Sequence, residues 1–251
     1  MLYTDTMFSY FRRFIKRRKT PMIIAIGDVH GKISRLTDSI QDLGVKGANF
    51  IQVGDFGLGF DSPIKESKKL HELDILLQNN GSHLWVIRGN HDNPMFWDPS
   101  FSYDTTNITF VPDNTLLEIG EKKCFFAGGA ISIDRKNRMK GVSYWPKEAY
   151  VWNRPNETPT NIDIVFTHDV YHPCSPFSVD SPFTERRMNL DGELRSDLIE
   201  SQEQMKQLYD FVSSINPEFF WYHGHYHESR FTTNGGQKTY CLSELEFKEV
   251  I

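Results

Sequence analysis

Cysteine is scarce. The 251 residues contain three, Cys124, Cys174 and Cys241, scattered, odd in number and without CxxC spacing. A disulfide framework and a thiolate metal cage are therefore disfavoured. The expectation is buried, inert thiols in a reducing compartment, the cytoplasm. Long apolar runs are also missing. None approaches the ~20 residues of a membrane span, so no transmembrane segment is expected. Nor is there an excess of positive charge: 28 Lys and Arg stand against 33 Asp and Glu, a formal net charge of -5 at pH 7. A chain-wide cationic surface for duplex nucleic acid is disfavoured, whereas a small local phosphate site is compatible. No internal repeat and no low-complexity tract interrupts the chain. Residues 1–20 mix aromatics with a basic cluster between Phe8 and Lys19. They lack the apolar core and cleavage site of a secretory signal. They are expected to form an irregular, poorly ordered leader ahead of one domain over residues 21–251.

What is present suits a globular enzyme-sized domain. Hydrophobic residues make up 39%, charged residues 24% and aromatics 14%, enough for a substantial core partly built of rings. The first half alternates. Met22 to Ile26 reads as a strand, Lys32 to Asp42 as a helix with Ile33, Leu36, Ile40 and Leu43 on one face, and Asn49 to Val53 as a second strand. Pro63 to Asn79 then reads as a helix, and His83 to Ile87 as a third strand. Such alternation predicts a largely parallel sheet with crossover helices, and ligands gather at the carboxyl ends of its strands. From residue 100 shorter strands at 108–111, 115–119 and 123–127 predict a hairpin-rich, antiparallel second half. A short helix is expected from Trp145 to about Trp152, a strand at 161–167, and a long irregular excursion from Pro173 to Asp191. A helix over 196–214 and strands at 219–222, 229–233 and 239–242 complete the chain.

Polar residues that can ligate a metal follow these strands: Asp28 and His30, Asp55, Asn90 and His91, His168, then His225 and His227. Asp28 with His30, and His225 with His227, are two residues apart, a spacing that in extended backbone points both side chains to one side. Oxygen and nitrogen donors without thiolate suit manganese, iron, zinc and similar ions. A mononuclear site needs three or four protein ligands. Seven or eight suffice for two ions about 3.5–4 Å apart, the clamp used for in-line displacement at phosphorus. His71, His83 and His172 read as structural, and His223 lies beside the last motif without a clear role. Trp145, Trp152 and Trp221 read as core.

The set Gly27-Asp28-Val29-His30-Gly31, Gly54-Asp55, Gly89-Asn90-His91-Asp92, His168 and Gly224-His225-Tyr226-His227 resembles the calcineurin-like metallophosphoesterase family, in order and in strand context, over roughly residues 22 to 242. The resemblance implies an α/β fold, a double β-sheet sandwich flanked by helices, with a dinuclear centre. Carried over motif by motif, Asp28, His30, Asp55 and His227 would hold one ion. Asp55, Asn90, His168 and His225 would hold the other, Asp55 bridging. Manganese is the first expectation, with iron, zinc, nickel or magnesium as alternatives. The implied reaction is hydrolysis of a small phosphomonoester or phosphodiester by a metal-bound hydroxide, with His91 as acid or charge stabiliser. Arg88, Arg135 and Arg138 are candidate phosphate clamps. The sequence departs from the protein-phosphatase branch of the family. Where that branch continues the second motif with Asp, Arg and Gly, this chain has Leu58, Gly59 and Phe60. A phosphoprotein phosphatase is therefore disfavoured, and the partner that orients His91 is open, with Asp92 and Asp61 as candidates. A nuclease for single strands and a non-catalytic scaffold of the same fold are the alternative readings.

Overall fold

The computed structural model describes residues 21–98, 100, 101, 103–176 and 180–250, so the expected leader lies outside the described residues. In chain order the elements begin with β1 (Ile23–Ile26), α1 (Ile33–Leu43), β2 (Asn49–Gln52), α2 (Pro63–Asn80), β3 (His83–Val86) and β4 (Ile108–Phe110). They continue with β5 (Thr115–Ile119), β6 (Lys122–Ala127), β7 (Ile164–Thr167), α3 (Pro182–Met188) and α4 (Leu194–Ile215). The last four are β8 (Phe220–His223), β9 (Arg230–Asn234), β10 (Gln237–Cys241) and β11 (Phe247–Glu249). Among the described residues no helix is long and apolar enough to cross a membrane.

Two sheets pack face to face between layers of helix. The first has the order β11-β1-β2-β3-β4 and the second β5-β6-β7-β8-β10-β9. β1 shows why its sequence is apolar without alternation: both of its faces are covered. Ile24 and Ile26 pack under α1 and α2 against Leu36, Ile40 and Leu73. Ile23 and Ala25 face the second sheet. There Phe166 stacks between Phe126 and Tyr222, with ring centroids 5.4 and 5.6 Å away. The outer face of the second sheet is closed by α4, whose Met205, Leu208 and Val212 bury Val165 and Trp221. The helices follow their apolar spacing. α1 buries Ile33, Leu36, Ile40 and Leu43 and stops at Gly44 in left-handed backbone. α2 begins on Pro63 and ends likewise at Gly81.

Four features depart from the sequence pattern. The second sheet is antiparallel only at its ends: β5 with β6, and β9 with β10. Its centre, β6-β7-β8-β10, is parallel. The long connections before β7 and β8 make the crossovers that parallel pairing requires. The stretch from Trp145 to Trp152 contains a turn but no helix, because three consecutive carbonyls, of Lys147, Glu148 and Ala149, turn to Arg88 instead of closing helical bonds. The expected excursion holds α3, whose start is marked by Ser181 accepting a bond from the Thr184 amide and by Pro182 at the first position. β11 has no counterpart in the expected strands; it extends the first sheet antiparallel to β1.

Replacing Phe166, fully buried between the sheets, by alanine should cost about 3–5 kcal/mol. Denaturant unfolding checks this; a loss below about 1 kcal/mol would show that the sheets do not close on this ring.

Candidate metal centre

Five strand ends, three from the first sheet and two from the second, deliver side chains to one place. Asp28 and His30 follow β1, Asp55 follows β2, Asn90 and His91 follow β3, His168 follows β7, and His225 and His227 follow β8. The delivery uses strained backbone rather than extended strand. β1 ends at Ile26 and β8 at His223. His30, Asp55, His225 and His227 have φ of 49, 54, 69 and 52°. These are left-handed values, costly for residues with a Cβ and concentrated at functional sites. The two-residue spacing thus brings His30 within 3.9 Å of Asp28, but through a tight loop, while His225 and His227 divide between two groups of donors. Two glycines let backbone approach the carboxylates: a Cβ on Gly89 would lie 2.0 Å from Asp55 Oδ1, and one on Gly224 2.0 Å from Asp28 Oδ1.

Two groups of donors share Asp55. In the first, ligand atoms of Asp28, His30, Asp55 and His227 all lie within 4.8 Å of one another. His227 Nε2 stands 3.1 Å from Asp28 Oδ2, and 2.9 Å from His30 Nε2. In the second, Asn90 Oδ1 lies 3.0 Å from both His168 Nε2 and His225 Nδ1, and His168 Nε2 lies 3.3 Å from Asp55 Oδ1. His168 Nδ1 is 2.9 Å from the Val53 carbonyl, which turns Nε2 inward. The electrostatics favour a cation. Asp28 and Asp55 are 0 and 1% exposed. Burial pushes the Asp55 carboxyl up, but His168, His91 and His30 hold it below its ordinary value. Burial opposes charge on His168, yet Asp55 and Asp28 raise it to about 10. Burial brings His225 down to about 3 and His91 to about 4, so both are neutral at pH 7 with a lone pair to offer. Buried carboxylates among imidazoles and an amide oxygen fit two divalent ions sharing Asp55, and an ion there would take the place of the proton that the carboxylates now hold on His168.

The remaining expected residues fall out differently. Asp92 is fully buried and bound to backbone amides. Its carboxylate accepts from the amides of Phe56, Gly57, Leu58 and Gly89 at 3.0, 2.6, 3.1 and 2.7 Å. It ties the Asp55 loop to the Asn90 loop. Asp61 binds Lys69 at 2.6 Å and is not the partner of His91 either. Arg88 is 7% exposed, with its guanidinium held by Asp113 and the carbonyls of Lys147, Glu148 and Ala149. All five of its N–H groups are occupied, so it is a strut and not a phosphate clamp. Arg135 is held by Asp191 at 2.6 Å and Asp197 at 2.5 Å, away from the donors. Arg138 alone of the three arginines reaches the centre. Asp134 holds its Nε at 2.7 Å, and its terminal nitrogens lie 2.7 and 3.2 Å from the two ring nitrogens of His91.

Beside the donors opens a cavity of about 430 Å³, with Ile131, Ile133 and Leu198 on its apolar side and Arg138 and Arg187 among its polar lining. His172 also lines it, although its sequence context suggests a purely structural residue. His223 is buried, is absent from the cavity lining and points Nδ1 at the Gly224 carbonyl, 3.1 Å away. Tyr226 pins the last motif by donating to Asp169 at 2.6 Å. Ile131 and Asp169 carried no sequence signal, and Leu198 read only as the inward face of its helix, because isolated apolar and acidic residues outside motifs look alike until the loops fold together.

The family model of the calcineurin-like phosphoesterases matches residues 21–229. No curated protein is significantly similar to the chain in sequence. The solved structure of phosphopantetheinyl hydrolase (PptH) from Mycobacterium tuberculosis aligns with a TM-score of 0.50 and 12% identity, over 92% of this chain and 96% of that one. A predicted phosphoesterase from Streptococcus pneumoniae TIGR4 aligns with a TM-score of 0.34 and 14% identity, over 91% of this chain and 75% of that one. At 12% identity the first of these speaks for the fold alone. The family match runs from the first strand through the His227 loop, and so the chain belongs to the calcineurin-like phosphoesterase family, hydrolases that act on phosphoric ester bonds.

Proposed function

We propose that the chain hydrolyses a small phosphomonoester or phosphodiester at a dinuclear metal centre. Asp28, His30, Asp55 and His227 would hold one ion, Asp55, Asn90, His168 and His225 the other, with manganese the first choice. The observation that carries this reading is the convergence of seven such side chains from five strand ends, two of them carboxylates withdrawn from water. When bound, the ion pair supplies Lewis-acid charge to the phosphoryl oxygens and lowers the pKa of water so that hydroxide is available near neutral pH.

The other steps belong to the protein. A phosphoryl group seated at the donors meets Arg138 and His91 together. The guanidinium suits the non-bridging oxygens. Burial, with a further contribution from Arg138, keeps His91 neutral at about 4 in the free protein. The negative charge of a bound phosphate opposes that effect, so His91 can carry a proton to the leaving oxygen. The alcohol part of the ester lies in the cavity against Ile131, Ile133 and Leu198. A cavity of this size and mixed character suits a compact organic phosphate better than a long nucleic-acid strand. Three buried, free thiols, Cys124, Cys174 and Cys241, are in keeping with a reducing, cytoplasmic setting.

Manganese-loaded protein should hydrolyse p-nitrophenyl phosphate or its bis ester, lose the activity to a chelator and regain it with Mn²⁺. Failure on both substrates sinks the proposal. Asp55→Asn should be inactive. Arg138→Ala should lower kcat/KM about 100-fold, of the order lost with one oriented donor at a developing charge. A second measurement tests the ligand sets: elemental analysis of His227→Ala should find the ion at Asp28 weakened first. Equal loss at both positions would show that the two sets are wrongly divided.

A further inference from the structure

The segment between β6 and β7 carries a buried carboxylate with no part in the mechanism so far. Glu148 is 2% exposed and Ser132 1%. The Ser132 amide donates to Glu148 Oε1 at 2.6 Å, and the Ser132 hydroxyl donates to Oε2 at 2.8 Å. The same hydroxyl oxygen accepts from Asn90 Nδ2 at 2.9 Å and from Arg138 at 3.4 Å. The segment is anchored beside Asn90, because the Glu148 carbonyl accepts from Arg88 at 2.6 Å.

These contacts fix a direction. An ionised carboxylate only accepts, and a hydroxyl has one proton to give. With that proton committed to Glu148, Ser132 presents only lone pairs to Asn90. The NH2 end of the Asn90 amide must therefore face Ser132, and its oxygen must face His168 and His225, 3.0 Å from each. The opposite arrangement would aim an N–H pair at the place where an ion would be held. We infer that Glu148 is a positioning residue: through Ser132 it sets which end of the Asn90 amide faces the histidines, and it steadies Arg138 beside His91. The inference rests on Asn90 being a ligand of the second ion.

Burial pushes the Glu148 carboxyl up to about 7, against the two Ser132 donors and the charges of Arg138 and Arg135. The test is accordingly run at pH 8, where the carboxylate is ionised. Glu148→Gln keeps the shape and reverses the polarity. Its single oxygen is claimed by the Ser132 amide, so its NH2 falls on the Ser132 hydroxyl, whose proton then turns toward Asn90. Mn²⁺ titration with elemental analysis, alongside kcat and KM for p-nitrophenyl phosphate, reads the effect. Wild type should take up two ions. Glu148→Gln should keep the ion at Asp28, bind the second about 10–100-fold more weakly and lose kcat in step, the range for residues behind a metal ligand. Adding Ser132→Ala should restore most of that affinity, because alanine imposes no direction on the amide. Rescue by a second deletion is not expected of a packing defect. Unchanged second-ion affinity in Glu148→Gln, or a loss that Ser132→Ala fails to relieve, overturns the inference. A wild type that takes up no second ion overturns the ligand assignment of Asn90, and the inference with it.

Discussion

Two carboxylates withdrawn from water at the ends of β1 and β2 set the terms for the rest of this structure. A buried ionised group is costly unless it is paired or coordinates a metal. Around Asp28 and Asp55 the fold gathers five histidines, an asparagine amide and an arginine. Loops from both sheets must meet at one edge to do so. The sandwich makes this possible, because the parallel strands β1, β2, β3, β7 and β8 all bring their carboxyl ends to that edge.

Holding loops in left-handed backbone requires reinforcement. The supporting residues are ones whose chemistry alone suggests catalysis. Asp92 gathers four amides and so fixes the Asp55 loop against the Asn90 loop. Arg88 ties the end of β3 to the segment before β7 through Asp113 and three carbonyls. Tyr226 and Asp169 do the same for the last motif. A charged residue next to a ligand is thus as readily a strut as a reactant, and its hydrogen bonds decide which. An arginine with every N–H directed at protein has no donor left for phosphate, whereas Arg138, held by one carboxylate, still faces His91.

The walls of the cavity come from an irregular segment, residues 128–149, and from α3 and the first turns of α4. They bring Ile131, Ile133 and Leu198 beside the donors. The candidate metal centre is built on strand ends, and the cavity beside it on loops and helices that no motif marks. The departure of Leu58, Gly59 and Phe60 from the phosphatase pattern belongs with this: what faces His91 in this chain is Arg138, reached across the fold rather than along the motif.

Sequence by itself determined the alternating first half, the helices over residues 33–43 and 63–80 to within a residue, and the set of candidate ligands. Periodic burial and strand-end position leave a local mark that one chain is enough to reveal. It did not determine the parallel centre of the second sheet or the pairing of β11 with β1, since strand direction depends on partners far away in the chain. It could not separate Arg138 from Arg88 and Arg135, because the groups that hold each of them are known only once the chain is folded. It left Ser132 and Glu148 invisible, because a serine and a glutamate 16 residues apart mean nothing until a fold buries them on the same asparagine. Tertiary structure decided these points, for the reason that hydrogen bonds and charge are settled by neighbours in space, while periodicity is settled by neighbours in sequence.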